Sequence, residues 1–520
     1  MSKVYHPYHN ALGRARRRVP AMAKDGGHGT VTAREWAEEV DFRAPISPES
    51  GDMDIVRQST KGARRLRMSS YALAMALTIL VPCSAATAPA TAPAANPPKL
   101  TTLYSFPGTP AGGGFPEAGL IFNPTTGVMY GTTADGGAYG WGSVYELTPG
   151  TGGAWTQTVL YSFNPIGIAG DGASPQASLA LSTSGVLYGT TTYGGGSSDD
   201  GTVFSLTPPT SGGSWTEKII HSFKGGTDGA QPEAGLVLVP KSGILFGTTY
   251  AGGTTATCVG CGTVFELAPS TGGGWTEKVL YSFTGGADGG NPVASLAVAT
   301  SEVVYGTTYT GGALGYGTVF SLTPAAGTWT ESVIYSFTNL TDGSGPEGSV
   351  IIKYAKTGGT ISALYGSTFW AGSSTGCLVG GYAAGCGTVF SLTAPTTSGA
   401  AWTFATLHTF TGAGNEGAHP SQNLFMNSGG VIYGTTFSGG SSADACFGAS
   451  YPGCGTIFRL NPPAAPGGVW TPSVLHDFGG DDGGGPNGVV PGANGIFYGA
   501  TYVGGTSGGY GTVFQLTPQP

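Results

Sequence analysis

Charge is scarce in this chain of 520 residues. Asp, Glu, Lys and Arg make up 10% of it, against roughly 25% in an ordinary soluble domain. Residues 87–520 hold 8 Lys and Arg against 21 Asp and Glu, so this part of the chain is acidic. Nucleic-acid binding depends on clustered basic side chains, and the sequence therefore predicts no nucleic acid among the partners.

Helical periodicity and long apolar runs are missing as well. No segment after residue 98 repeats apolar residues at the helical period, and none approaches the roughly 20 apolar residues that a membrane helix needs. We therefore expect no membrane span in the mature chain. The sequence is instead rich in Gly, with 94 residues, and Pro, with 35. Because they recur periodically, they indicate turns between short strands.

The first 98 residues have the order of an exported precursor. A basic run ends at Arg67, a short apolar run covers 71–81, and small and Pro-rich residues follow, as in a secretory signal peptide. We expect an N-terminal extension over 1–67, which is a mis-called start if translation begins at Met53 or Met68. This extension is followed by a signal core and cleavage region over 68–86 and by an Ala/Pro linker over 87–98. Cleavage near Ala86 gives a secreted or periplasmic protein; a lipid anchor on Cys83 is the alternative.

Three short phrases recur through residues 99–520: "YGTT", "GTVF.L" and "WTEKVLYSF". Each is rich in β-branched and aromatic residues and bounded by turn formers, which predicts a strand. In the third phrase the period of two predicts Trp275, Val279, Tyr281 and Phe283 on one face and Leu280 on the other. The first phrase, which we call the corner, begins at steps of 58 to 68 residues, at Tyr130, Tyr188, Phe246, Tyr305, Tyr365, Tyr433 and Tyr498.

With a looser strand before each corner, every unit of about 60 residues has four strands. Seven units predict an all-β fold, a seven-bladed β-propeller of four-stranded antiparallel blades; a β-solenoid is the alternative. The last unit lacks the Trp strand, and residues 99–106 carry a spare copy. We expect this N-terminal strand to close the ring beside residues 511–516, because closure removes an exposed edge.

The combined phrases, "LYSF", "DG..P", "LYGTT" and "GTVF" in this order, resemble the Gloeo/Verruco repeat, often called GloVer, over about residues 99–520. The resemblance implies a bacterial exported protein with tandem repeats and a β-propeller-like fold. It implies no established reaction and no catalytic residues. Members carry varied surface anchors, whereas this sequence stops after its last strand, so we expect release into the medium or the periplasm.

Carboxylates recur between the units. Asp followed by Gly is a strong turn former because its side chain accepts backbone N–H bonds, so we predict a structural turn role, with calcium binding as the alternative. Equivalent positions on separate blades are too far apart to share one ion, and no metal centre is predicted. In two units Glu416 and Gly112 take the place of this Asp; the other five have Asp171, Asp228, Asp288, Asp342 and Asp482.

Six of the seven cysteines lie just before the "GTVF" phrase in three units. Each pair lies in one loop, and export permits disulfides. We predict the bonds Cys258–Cys261, Cys377–Cys386 and Cys446–Cys454. The first pair alone could also be a redox or zinc motif, but it lies in a hairpin rather than at a helix N-terminus, and no second pair is near it.

Histidines offer no catalytic set. His221, His408 and His476 occupy the Tyr place of "LYSF", so we interpret them as Tyr replacements in a packed strand, and His419 stands alone in a loop. The stretch 147–155 is faintly similar to the Trp-docking motif of quinone-dependent propeller dehydrogenases, but it fits a Gly-rich turn better. We predict no catalytic residue, no metal and no cofactor.

The loops between the two middle strands vary most in length, and in a propeller they share a face with the loops between blades. Binding sites usually lie in variable loops on a rigid scaffold. We therefore expect a monomeric, secreted, non-catalytic binding protein that recognises an extracellular glycan or a surface protein through this face. A propeller hydrolase or lyase acting on an extracellular polymer, and a surface scaffold without a ligand, are the alternatives.

Overall fold

The computed structural model describes residues 97–518, apart from short gaps at 110–111, 256–257, 357–358, 375, 380–381, 398, 442–445, 448–450 and 466. The predictions for the N-terminal extension, the signal peptide, the linker as far as residue 96 and Cys83 lie outside the described residues. Among the described residues no helix is long and apolar enough to cross a membrane.

Seven antiparallel sheets follow one another along the chain, each with an inner, a second, a third and an outer strand. Blade 1 consists of Ile121–Phe122, Met129–Thr133, Ser143–Pro149 and Trp155–Ser162. Blade 2 consists of Ala180–Leu181, Leu187–Thr191, Thr202–Thr207 and Thr216–Ser222. Blade 3 consists of Val237–Leu238, Leu245–Thr249, Thr263–Pro269 and Trp275–Ser282. Blade 4 consists of Ala297–Val298, Val304–Thr308, Thr318–Ala325 and Thr328–Ser336.

The remaining blades repeat this order. Blade 5 consists of Ile351–Tyr354, Ile361–Thr368, Thr388–Thr393 and Thr403–Thr409. Blade 6 consists of Gly417–Met426, Ile432–Gly439, Thr456–Asn461 and Thr471–Asp477. In blade 7 two short segments pair with the second strand, and the strands are Gly484–Pro486, Val490–Pro491, Phe497–Val503, Thr512–Thr517 and Lys99–Ser105. The seven-bladed β-propeller predicted from the repeats is confirmed.

Short elements decorate the loops. Two-residue strands pair Gly172–Ala173 with Tyr193–Gly194, Thr254–Thr255 with Cys258–Val259, and Leu378–Val379 with Tyr382–Ala383. Single-turn 3-10 helices lie at Thr151–Gly153, Gly226–Asp228 and Ala493–Gly495.

The N-terminal strand closes the ring. Lys99–Ser105 pairs antiparallel with Thr512–Thr517, from Lys99 opposite Thr517 to Ser105 opposite Thr512. Blade 7 thus takes its outer strand from the beginning of the repeat region and its other strands from the end. The predicted closure is confirmed, and the edge of the third strand is covered as in the other blades.

Every outer strand contains one extra residue. Tyr281 lies opposite Val264 and Val279 opposite Phe265, so Leu280 is a bulge without a partner. Trp275 packs between blades 2 and 3, whereas Tyr281 packs with Leu280 between blades 3 and 4. The prediction that Trp275, Val279, Tyr281 and Phe283 share one face is therefore wrong, because a bulge shifts the alternation by one residue. The same irregularity occurs in all seven blades.

The apolar core lies between adjacent blades, in seven clusters. At each boundary the Phe that follows an outer strand meets the aromatic ring of the next blade's third strand edge to face, with ring centroids 5.1–5.3 Å apart. Each pair is worth about 0.5–1.5 kcal/mol beyond the buried area. The pairs are Phe106–Tyr145, Phe163–Phe204, Phe223–Phe265, Phe283–Phe320, Phe337–Phe390, Phe410–Phe458 and Phe478–Phe514.

The corner phrase also has a packing explanation. A Cβ on Gly306 would lie 2.5 Å from Cζ of Phe320, so only glycine lets the ring lie across the second strand. The second Thr of the corner, Thr308, shares a buried hydrogen bond of 2.9 Å with Thr318 of the third strand. Corner and third strand are thus tied together inside each blade.

Candidate functional site

Two sets of loops lie on one side of the propeller, which we call the loop face. They are the loops between the second and third strands and the loops between blades. Contacts between the two sets prove their proximity: Ala230 bridges Ala251, and Gly290 bridges Thr310. The loop face is the side on which the sequence predicted binding.

A Gly–Pro contact fixes each inter-blade loop. Gly317, which immediately precedes the third strand of blade 4, has φ +96°, and a Cβ there would lie 2.7 Å from Cδ of Pro346. The "GTVF" glycine and the "DG..P" proline are therefore two halves of one joint between neighbouring blades. The equivalent pairs are Gly142–Pro175, Gly201–Pro232, Gly262–Pro292, Gly387–Pro420, Gly455–Pro486 and Gly511–Pro116.

The residue before each of these prolines is left-handed. All seven have φ between 55° and 60°, and five of them are not glycine: Phe115, Ser174, Gln231, Asn291 and His419. Such a backbone costs about 1–3 kcal/mol for a residue with a Cβ, and it concentrates at functional sites. These five side chains differ in kind although their backbone is the same.

The residues after these prolines approach the centre of the propeller, which we call the central channel, and four of the seven line one cavity there. Three of the seven are acids, and the charge of Glu233 acts on both Glu117 and Glu347 although the three come from blades 1, 3 and 5. Burial, together with the neighbouring carboxylates, raises the pKa of Glu117 and of Glu347 well above the usual range. The full set is Glu117, Gln176, Glu233, Val293, Glu347, Ser421 and Asn487.

A cavity of about 30 Å³ lies in this channel. Gln176, Glu233, Glu347 and Gln422, from blades 2, 3, 5 and 6, line it. The amide of Gln422 also donates to the backbone carbonyl of Glu117, which precedes blade 1, at 3.4 Å. Acid and amide groups from separate blades therefore meet in a space large enough for ordered water.

Aromatic residues surround the channel where the corners end. The residue after the corner is Tyr250, Tyr309, Phe369, Phe437 or Tyr502 in five blades, and Ala134 or Thr192 in the others. Tyr250 and Tyr502 are partly exposed. Burial raises the pKa of both phenols, and the negative charge of Glu233 on Tyr250 and of Glu117 on Tyr502 raises it further. Neutral phenol groups and carboxyl groups thus lie together.

His419 lies where the aromatic residues around the channel are packed most closely. It is 1% exposed, and its ring stacks on Phe369 and meets Trp370 and Tyr451 at centroid distances of 4.9–5.3 Å. Its Nδ1 lies 2.8 Å from the Ser438 hydroxyl, whereas the buried Nε2 has no hydrogen-bond partner among the described residues. Burial lowers its pKa to about 3. The expectation that His419 stands alone in a loop is wrong.

Large apolar side chains are exposed on the loop face. Trp141 is 41% and Leu340 67% exposed. Others in the same loops are Tyr139, Ile166, Ile168, Leu314 and Tyr316.

Two of the predicted disulfides are confirmed. Cys377–Cys386 and Cys446–Cys454 form within single loops, with Cα–Cα distances of 5.3 and 5.2 Å. Cys261 is disulfide-bonded, and the side chain of Cys258 lies outside the described residues. All of these loops belong to the loop face.

The turn carboxylates lie at the base of the inter-blade loops. Asp288 accepts a bond from the Tyr281 hydroxyl at 3.0 Å and one from the backbone N–H of Thr284 at 2.8 Å. His221 and Asp228 form the equivalent contact at 3.1 Å. The same contacts recur at Asp171, Asp342, Glu416 and Asp482. These carboxylates therefore accept hydrogen bonds from residues of their own repeat, and they lie apart from the channel.

The sequence analysis did not single out the acids Glu117, Glu233 and Glu347. The structure brings them close enough for the charge of Glu233 to act on the other two. The signal was present: the residue after each "DG..P" proline changes from unit to unit inside an otherwise repeated phrase.

Solved structures similar to this chain come from several bacteria. An oxidoreductase (glucose dehydrogenase), so assigned provisionally, from Thermus thermophilus is 14% identical over 81% of this chain and 99% of its own, with a TM-score of 0.34. A provisionally assigned 6-phosphogluconolactonase from Bacteroides fragilis is 14% identical over 69% of this chain and 82% of its own, with a TM-score of 0.41. A protein of unknown function from Dyadobacter fermentans is 12% identical over 82% of this chain and 100% of its own, with a TM-score of 0.40.

A comparison with curated protein sequences finds no match. The model of the Gloeobacter/Verrucomicrobia repeat matches four times, over residues 91–260, 195–375, 257–445 and 371–520. These overlapping matches cover the whole propeller, as the resemblance of the repeated phrases predicted. The chain belongs to the Gloeobacter/Verrucomicrobia repeat family.

Proposed function

We propose that this protein is a secreted, monomeric binding propeller that recognises an extracellular glycan at the centre of its loop face. The observation that carries the proposal is the ring of unlike side chains around the channel. Positions before and after the inter-blade proline, and after the corner, vary in chemistry, whereas the joint that holds them repeats in every blade.

The chemistry of this ring suits a sugar. A pyranose offers an apolar face to an aromatic ring and hydroxyl groups to acids, amides and phenols. Tyr193, Tyr250 and Tyr502 are partly exposed, and Gln176 and Glu233 are half-buried below them. A glycan residue stacked on a tyrosine would place its hydroxyls over these polar groups.

The disulfides support an extracellular or periplasmic location. Such bonds persist in oxidising compartments and are rare in the cytosol, and Cys377–Cys386 and Cys446–Cys454 each crosslink a single loop of the loop face. A crosslinked loop loses less conformational freedom on binding, so the bonds also pre-organise the face.

A glycan array probed with the purified chain tests the proposal. For any glycan captured, Tyr250→Ala and Glu233→Gln should each weaken binding at least about tenfold, the effect of losing one well-placed contact of about 1.4 kcal/mol. Lys241→Ala, an exposed change outside the loop face, is the matched control and should bind as the wild type does. Capture that survives both loop-face changes would place the ligand elsewhere.

A second candidate function is a hydrolase or lyase acting on the same polymer. The buried carboxyl groups of Glu117 and Glu347 favour it, because a carboxylic acid held protonated by burial can act as a general acid. If the protein is this enzyme, Glu347→Gln should retain glycan binding and lose product formation. A wild-type chain that binds the glycan and releases no product supports the binding protein.

A further inference from the structure

A second group of chemically reactive residues lies at the outer rim of the loop face, away from the channel. Six of the seven outer strands begin at or next to a Trp, and the residue two positions after this Trp is not the same in every blade. In three successive blades this residue is Glu217, Glu277 or Glu331, and the charge of Asp171, Asp228 or Asp288, respectively, acts on it. At three blade boundaries, therefore, a second carboxyl group lies near enough for the charge of the inter-blade Asp to act on it.

The boundary between blades 2 and 3 adds an imidazole. Nε2 of His221 lies 3.1 Å from Oδ1 of Asp228, and one donor atom each of His221, Asp228 and Glu277 lies within 4.8 Å of the other two. No other such trio of His, Cys, Asp and Glu occurs in the part of the chain that the structure describes. Oε1 of Glu277 is buried and has no hydrogen-bond partner among the described residues.

We propose that His221, Asp228 and Glu277 bind a divalent transition metal, with Zn²⁺ as the ion that fits the donor set best. Zn–N and Zn–O bonds of about 2.0–2.2 Å put tetrahedral ligands roughly 3.3 Å apart, close to the separation of His221 and Asp228. One His and two carboxylates leave the fourth position for water, and the side chains of His221 and Asp228 are 17% and 18% exposed.

The ligands are held in place by the fold. The backbone N–H of Lys224 donates to Oδ2 of Asp228 at 2.9 Å, which leaves Oδ1 directed at His221. Such bonds to the second oxygen orient a metal-ligating carboxylate. His221 and Glu277 come from the outer strands of adjacent blades, so a bound ion would join blades 2 and 3.

Neighbouring boundaries serve as internal controls. On either side, Tyr161 and Tyr281 stand where His221 does and donate to Asp171 and Asp288. A phenol in place of the imidazole removes the nitrogen ligand. His408 and His476 keep the imidazole beside an acid, but Pro472 and Leu100 replace the second carboxylate. Among the described residues, only the boundary of blades 2 and 3 combines all three donors.

Equilibrium dialysis of the EDTA-treated full chain against Zn²⁺ tests the proposal, with Ca²⁺ in parallel. His221→Tyr recreates the side chain found at the neighbouring boundaries and should weaken one Zn²⁺ site by at least about 10–100-fold, the effect typical of lesser changes around metal ligands. His408→Tyr makes the same change where the second carboxylate is missing, and should leave Zn²⁺ binding unchanged. Glu277→Gln decides the matter if His221→Tyr does not fold.

Any of three results would overturn the proposal. The first is unchanged Zn²⁺ binding in a folded His221→Tyr or Glu277→Gln variant. The others are an equal loss of Zn²⁺ binding in His408→Tyr and tighter binding of Ca²⁺ than of Zn²⁺. A gain of binding gives the converse test. Tyr281→His adds the missing imidazole beside Asp288 and Glu331, and it should raise the number of bound Zn²⁺ ions by one. An unchanged number in the folded variant contradicts the geometric argument.

Discussion

Replacement of Phe106 by alanine tests whether the ring is closed in solution. Phe106 follows the N-terminal strand and is 0% exposed, and its ring meets Tyr145 of blade 1 at 5.2 Å. Phe283 occupies the same place inside the continuous chain, 0% exposed and 5.1 Å from Phe320. The two residues differ only in how the chain reaches them.

The expected loss follows from this burial. A fully buried Phe cut back to Ala costs about 3–5 kcal/mol, because transfer energy is lost and a cavity remains. About 0.5–1.5 kcal/mol of this belongs to the edge-to-face contact. In a closed ring Phe106→Ala and Phe283→Ala should therefore lower the free energy of unfolding by similar amounts. In an open ring the N-terminal strand is undocked, and Phe106→Ala should cost close to nothing.

Urea denaturation followed by tryptophan fluorescence measures both variants, since the chain has nine Trp. Ile166→Ala, at a side chain that is 80% exposed, is the control and should change the free energy of unfolding by less than about 0.5 kcal/mol. A loss below about 1 kcal/mol for Phe106→Ala beside the full loss for Phe283→Ala would refute closure by residues 99–106.

Three further predictions concern the blade, the loops and the channel. Gly306→Ala should lower the free energy of unfolding by about 1–3 kcal/mol, because the new Cβ would meet Phe320. Gly274→Ala is the control, since there is open space around its Cβ, and it should change the melting temperature little. Equal effects of the two substitutions would contradict the packing argument. Reduction of Cys377–Cys386 should expose its loop to protease while the circular dichroism of the ring persists, and loss of the whole β signal would show that the bond holds more than its loop. Glu117 binds its proton more tightly in the folded state because burial and nearby carboxylates raise its pKa, so its contribution to stability is complete below pH 4.5 and is lost as the pH rises toward the folded-state pKa. The melting temperature of Glu117→Gln should therefore rise relative to the wild type between about pH 4 and pH 8, and a constant difference would contradict the raised pKa.

Most of the fold can be predicted from local sequence patterns. Strand phrases of alternating β-branched and aromatic residues, cut by Gly and Pro, specify each blade, and their number specifies the ring. The spare strand at residues 99–106 indicated closure because the last unit lacked it. The bonds Cys377–Cys386 and Cys446–Cys454 could be predicted because each joins residues within one loop.

The side of the sheet on which an outer-strand residue lies was decided by tertiary structure. Leu280 adds one residue to the strand, and it does so in a phrase that reads as regular alternation. Strict alternation with a period of two assumes that every residue is paired. It therefore assigned Tyr281 and Phe283 to the wrong face of the sheet. With the bulge in place, Phe283 packs against Phe320 of the next blade.

The packing of the blades against one another brings the residues of the candidate sites together. Glu117, Glu233 and Glu347 are each more than a hundred residues apart in sequence, and His419 packs against the aromatic rings of Phe369 and Tyr451, which lie in blades 5 and 6. Sequence determined which side chains each blade presents, because strands and turns form from local contacts. Tertiary structure decided which of them meet, because ring closure sets the distance between blades that local periodicity cannot encode.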